Sequence, residues 1–197
     1  MHIFKVICLT MSLFYFFNPL HANMAPEGFG NFANYYFVET GTSLGKGVIM
    51  ALKANFSEIH SIEIDPVRAK KATSHFERLK QVHIWCGDSG LILKDVIKDM
   101  DKPITFWLDG HRFPQNDGKK NTALVAELDQ IKQHPIKIHT IIIDDMHYCG
   151  TEYFDFVTKE QIVQKIYEIN PHYTITYIDG GVIKVQKKGI LVATITR

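Results

Sequence analysis

Two short stretches of this 197-residue chain gather the residue types that carry acid, base and metal chemistry. One is Phe106-Trp107-Leu108-Asp109-Gly110-His111; the other is Ile141-Ile142-Ile143-Asp144-Asp145-Met146-His147, and each runs from apolar residues straight into carboxylates and imidazoles. If the apolar runs are neighbouring strands, about 4.8 Å apart, then Asp109, Asp144 and Asp145 converge with His111 and His147. Carboxylates crowded in this way repel unless a cation compensates them. Oxygen-rich sites suit Mg²⁺, Mn²⁺ or Ca²⁺, and the histidines would admit softer metals. On the plainer reading, one aspartate caps the following turn and the histidines are ordinary surface residues.

A second group suits the binding of a small molecule. Glu39-Thr40-Gly41-Thr42-Ser43-Leu44-Gly45-Lys46-Gly47 follows another apolar run, and its glycines allow tight turning and close approach of a ligand to the backbone, or simply pack a helix on a strand. The dinucleotide fingerprint would need glycine at Ser43. The phosphate loop would need one more residue before Gly45-Lys46 and a hydroxyl at Gly47. Phosphate cradling is therefore not the favoured use. Glu63 ends the next run 22 residues after Gly41, with Asp65 two residues on. An acid there can accept from both hydroxyls of a ribose, although a carboxylate before Pro66 also starts a helix. Asp88, in Cys86-Gly87-Asp88-Ser89, could accept from an exocyclic amine such as that of adenine, or cap a helix, or both.

These residues need a scaffold that brings them to one rim. The runs Tyr35–Val38, Ile59–Ile64, Val82–Trp85, Ile104–Leu108 and Ile138–Ile143 read as buried parallel strands. Between them Lys46–Ala54, Pro66–Leu79, Leu91–Met100 and Lys120–Gln133 read as amphipathic helices, and Lys159–Ile169 as one more. Tyr173–Ile178 and Val182–Gln186, separated by Asp179-Gly180-Gly181, read as a hairpin. The expectation is an α/β fold: a doubly wound, mostly parallel, seven-stranded, Rossmann-like sheet with an antiparallel C-terminal hairpin. Ligands of such sheets lie outside the carboxyl ends of the strands, where strand order reverses.

Glu-Thr-Gly-Thr-Ser-Leu-Gly after the first strand, Ser-Ile-Glu-Ile-Asp closing the second, Gly-Asp-Ser after the third and the terminal hairpin together resemble the class I S-adenosylmethionine-dependent methyltransferases. The likeness extends from Tyr35 to Gln186, with Thr42-Ser43 where a third glycine often lies. It implies that Glu39, Gly41, Thr42 and Gly45 shape the methionine and ribose pocket, that Glu63 binds the ribose hydroxyls and that Asp88 faces the adenine amine. The acids after the fourth and fifth strands are similar to those of metal-dependent O-methyltransferases, which implies a divalent cation, Mg²⁺ or Mn²⁺, on Asp109, Asp144 and Asp145. In that mechanism the metal binds two substrate oxygens, lowers the pKa of one hydroxyl and aligns it with the sulfonium methyl group. Asp109 and His111 are then the catalytic residues, with His111 the candidate general base, since an unperturbed imidazole titrates near 6.5.

Composition limits the partners. With 46% hydrophobic residues the chain can bury one compact core, and 22 Lys and Arg against 21 Asp and Glu leave no field to draw nucleic acid or an anionic membrane. A small-molecule substrate is expected. Residues 1–22 have the layout of a secretory signal, with an uncleaved anchor or a true start at Met24 as alternatives. That leader points to export or membrane anchoring, and the cofactor points to the cytosol. Residues 23–34 read as a linker or a cover for the pocket, 35–188 as the methyltransferase-like domain, and 189–197 as an apolar tail that an extra edge strand or a homo-oligomer contact could bury. Cys86 and Cys149 fall after strands four positions apart, too far for a disulfide. His111–Asn121 is long enough to be a substrate lid or a solvated connector. The alternative function is an exported metal-dependent hydrolase or a non-catalytic binding domain on the same scaffold.

Overall fold

In a computed structural model of the chain the described residues are 29–115, 117–180 and 186–195; the leader 1–22 and the predicted strand residues 182–185 lie outside them. The elements in chain order are β1 (Tyr36–Thr40), α1 (Lys46–Lys53), β2 (Glu58–Glu63), α2 (Pro66–Phe76), β3 (Val82–Cys86), α3 (Ser89–Ile97), β4 (Ile104–Leu108), α4 (Leu124–Gln133), β5 (Thr140–Ile143), α5 (Lys159–Ile169), β6 (Thr174–Gly180) and β7 (Gln186–Thr194). They build one seven-stranded sheet in the order β3-β2-β1-β4-β5-β7-β6. The first five strands are parallel, and β7 runs antiparallel to both β5 and β6. Strand order reverses between β1 and β4, so the expected architecture is the one found.

The alternation of each strand divides the core between two faces. Val38, Ile62, Phe106, Leu108, Ile141 and Ile143 pack under α3, α4 and α5. Phe37, Ile59, Trp107 and Ile142 pack under α1 and α2. Helix starts are encoded locally: Asp65 Oδ1 accepts from the Val67 and Arg68 amides at 2.8 and 3.1 Å ahead of Pro66, and Thr158 forms a capping box with Gln161 at α5. At α3 the cap is Asp88, which accepts from the Gly90 amide at 2.9 Å.

Three boundaries differ from the sequence reading. The strand expected at Val182–Gln186 meets the described residues only at Gln186, where β7 begins and runs on to Thr194, so the apolar tail is part of β7, inserted between β5 and β6 rather than added at an edge. The tail lies inside the domain because Ile190, Leu191, Val192 and Ala193 are core residues. The stretch taken as linker joins the core from Phe29 onward: Phe29 is fully buried, with its ring 5.0 Å from Phe37 and 5.1 Å from Trp107. The helix expected from Lys120 starts at Leu124, because Asp155 accepts the Asn121 and Thr122 amides and holds that segment in a turn. Cys86 and Cys149 are free thiols.

Candidate functional site

The carboxyl ends of β1 to β5 surround a cleft of about 1250 Å³, bordered by Glu39, Thr42, Glu63, Asp88, Asp109 and His111 among others. Small-molecule sites typically measure about 300–1000 Å³, so this cleft has room for two ligands side by side.

Each rim acid owes its place to the strand it ends. Glu63 is buried and its two oxygens accept backbone amides, Ser43 at 2.7 Å and Asp65 at 3.0 Å, which leaves each oxygen further accepting capacity toward the cleft. Glu39 is buried beside it. Its Oε1 accepts from Ser61 at 2.6 Å, and Oε2 occupies the space a side chain on Gly47 would fill. Burial pushes the Glu39 carboxyl up to about 8; the Ser61 hydrogen bond opposes the rise, and Asp109 and Glu63 add to it. Thr42 is buried with its hydroxyl on Ser61.

Gly41 has φ +86°, and a Cβ there would stand 2.6 Å from the Asp109 carbonyl oxygen. Its backbone thus approaches the end of β4 closely, and Gly41 also borders the cleft. Gly45, with φ +75°, is pressed against the Phe76 ring and is absent from the cleft lining.

Of the acids after β4 and β5, the structure brings together Asp109, His111 and Asp145, with one donor atom from each within 4.8 Å of the others. His111 stands between the two acids, Nδ1 at 3.3 Å from Asp109 Oδ1 and Nε2 at 3.4 Å from Asp145 Oδ2. Asp145 reaches this position through a left-handed backbone, φ +53°, which Asp tolerates better than most residues. Asp144 is not in the group: it is buried, and its Oδ1 accepts the Asp145 amide at 2.7 Å. His147 Nδ1 lies 3.7 Å from Asp145 Oδ1, in the cleft wall. Burial opposes a charge on His111, yet Asp109 above all, then Asp145 and Glu127, raise its pKa above the usual value. The two carboxylates thus flank an imidazole whose charged form they favour.

Glu127 escaped the sequence reading. It lies on α4 with Leu124, Leu128 and Ile131 on one buried stripe, and an acid on an apolar face at that spacing was the available signal. Ser89 Oγ donates to its Oε1 at 2.5 Å, and burial pushes its carboxyl up to about 7, with Asp88 and Asp109 adding to the rise. The segment from His111 to Thr122 is pinned at its base by a bridge between those two residues and braced by a bidentate Arg112–Asp117 pair at 2.6 and 2.7 Å. Its Arg112, Phe113 and Lys120 border the cleft.

No family model matches the chain, and no curated protein matches it. Solved structures do. An O-methyltransferase from Bacillus cereus in complex with SAH aligns over 98% of this chain and 89% of its own at 17% identity, with a TM-score of 0.58. A putative caffeoyl-CoA O-methyltransferase from Staphylococcus aureus aligns over 98% and 91% at 14% identity, TM-score 0.54. TomG, an O-methyltransferase of Streptomyces achromogenes in complex with SAM, aligns over 83% and 74% at 17% identity, TM-score 0.55. The chain therefore has the fold of the class I S-adenosylmethionine-dependent methyltransferases, its strand order and antiparallel C-terminal hairpin included.

Proposed function

We propose that the chain is an S-adenosylmethionine-dependent methyltransferase that methylates a hydroxyl of a small molecule with help from a divalent cation. The observation that carries this reading is the pairing, across one cleft, of the Glu63 and Asp88 rim with the Asp109–His111–Asp145 group. An exported hydrolase on this scaffold has no reason to keep Glu63 and Asp88 on the same rim. The two carboxylates, Asp109 and Asp145, fit a divalent ion of the Mg²⁺ or Mn²⁺ kind, and His111 stands beside them as the proton acceptor.

When bound, the cofactor supplies an electrophilic methyl group, and the cation supplies Lewis acidity that favours the ionised acceptor. Glu63 offers its remaining lone pairs to vicinal hydroxyls, and Asp88, already a cap, offers its second oxygen to an amine. Asp109 and Asp145 would hold the cation. His111 receives the acceptor proton at Nε2, the atom that faces Asp145.

The position of His111 supports a second, metal-free reading. With carboxylates on both ring nitrogens, the imidazolium itself compensates Asp109 and Asp145, and the acceptor is oriented by hydrogen bonds alone. Calorimetry with S-adenosylhomocysteine, with and without Mn²⁺, tests both. Wild-type protein should bind it, and Glu63→Ala should weaken binding about ten- to a hundredfold through loss of a charge-assisted hydrogen bond. Absence of binding by wild type would sink the methyltransferase reading. Mn²⁺ should raise the melting temperature of wild type but not of Asp145→Asn; a melting temperature indifferent to Mn²⁺ selects the metal-free reading.

A further inference from the structure

Three residues away from the cleft, at the opposite end of β2 and on the neighbouring edge strand, form a second cluster of metal-ligating side chains. Glu58 and His60 share one face of β2 by the two-residue alternation of a strand, and His83 stands directly opposite His60 on β3. The two imidazoles stack, ring centres 4.7 Å apart with planes at 27°. Glu58 Oε1 is 3.0 Å from His60 Nε2 and 3.6 Å from His83 Nε2, and one donor atom of each residue lies within 4.8 Å of the other two. A tetrahedral ion with bonds of about 2.1 Å separates its ligands by roughly 3.4 Å, which falls within this spread.

We propose that Glu58, His60 and His83 form a binding site for a divalent cation of the Zn²⁺ class, with a water completing the tetrahedron. The site rests on different residues from the cleft and stands independently of the methyltransferase reading. Two nitrogens and one oxygen are a Zn²⁺-type donor set. His60 is buried while His83 beside it is half-exposed, so the group opens to solvent on one side, where an ion and its water can enter. An ion here would tie β3, which has a strand partner only on its β2 side, to the sheet interior. The end of β3 leads directly into Gly87 and Asp88 of the cleft rim.

Binding has a consequence that can be read. Trp85 Nε1–H donates to His60 Nδ1 at 3.1 Å, which places the imidazole proton on Nε2, where it donates to Glu58. An ion on Nε2 requires that proton to pass through solvent to Nδ1. The indole N–H then faces another N–H, and the hydrogen bond must break. Trp85 is 39% exposed, so its N–H can turn to water. Zn²⁺ therefore competes with Trp85 for the state of His60.

The test uses the full chain carrying Asp145→Asn, which removes a competing ligand in the cleft, stripped by a chelator and titrated with Zn²⁺ alone by calorimetry and tryptophan fluorescence. One ion should bind per chain with micromolar or tighter affinity, and Trp85 emission should change to the same stoichiometry while buried Trp107 stays constant. His83→Ala should weaken binding about tenfold or more, and its exposed side chain makes the change safe for folding. Trp85→Phe should tighten binding by roughly fivefold, because no hydrogen bond then has to be broken. Affinity no tighter than millimolar, binding indifferent to His83→Ala, or Trp85 emission unchanged at saturation each overturns the proposal.

Discussion

A carboxyl group in a protein interior keeps its proton until the pH is high enough to force it off, and Glu127 sits where that matters. Its Oε1 accepts from Ser89, and the group is fully buried between α4 and the end of β4, close to Gly110. Burial lifts its pKa from 4.5 to about 7. The folded state thus holds a proton that the unfolded chain releases, so the contribution to stability is complete below pH 4.5 and is lost as pH rises through 7. Glutamine has the same shape, can still accept from Ser89 and cannot ionise. The stability of Glu127→Gln relative to wild type should therefore rise between pH 5 and pH 8.5, by on the order of 2–3 kcal/mol, as read from chemical denaturation at the two pH values. A difference that stays constant with pH would mean that Glu127 does not ionise in this range.

At the scale of elements, the turn from β1 into α1 is shaped by what it packs against. Gly41 combines φ +86° with a 2.6 Å approach of any Cβ to the Asp109 carbonyl oxygen, a backbone atom that cannot swing away. Gly41→Ala should therefore destabilise the protein by about 2 kcal/mol or more, from the left-handed backbone and the displaced β4 end together. A denaturation midpoint equal to wild type would show that the two strand ends can part. Because a side chain at Gly41 would disturb the strand ends as well as the cleft it borders, Glu63 is the cleaner probe of cofactor binding. Parallel strands were legible because strands buried on both faces are continuous apolar runs, and helix starts because Asp65-Pro66, Asp88 and Thr158 cap locally. The extent of β7 was not legible because Asp179-Gly180-Gly181 imitates a tight hairpin turn, whereas Asp179 and Gly180 belong to β6 and Gly180 pairs with Gln186. Among the site residues, strand-end position identified the acids but not their directions. Asp144 and Asp145 differ by one left-handed backbone step, and that alone sends one carboxylate into the protein and the other to His111.

For the whole molecule, the buried titratable groups combine into an uncommon pH profile. His139 is buried at the far end of β5, where its Nδ1 accepts the Ile104 amide at 3.1 Å and its Nε2 meets His134 Nδ1 at 3.2 Å. Burial and His134 push its pKa down to about 3, so the stability it contributes is present above 6.5 and is lost as pH falls from there toward 3. Glu39, at about 8, and Glu127, at about 7, act in the opposite direction: each is lost as pH rises from 4.5. His111, raised by Asp109 and Asp145, loses its contribution above 6.5 as well. Buried His60, whose pKa burial also lowers, acts with His139, so between pH 4.5 and 6.5 two imidazoles oppose two carboxyls and stability changes little. Above 6.5 the imidazoles no longer oppose the carboxyls, and stability declines by about 1.4 kcal/mol per pH unit for each carboxyl still protonated. Ligand-free protein should thus melt highest between pH 4.5 and 6.5 and lose on the order of several kcal/mol by pH 8, as followed by thermal melts across that range. A cationic ligand should flatten the alkaline side, because a positive charge in the cleft favours the ionised form of Glu39, which borders it. A maximum at pH 7 to 8 in the absence of ligand would mean that Glu39 and Glu127 are ionised in the folded protein, and that the cleft holds its carboxylates together by some charge other than their own protons.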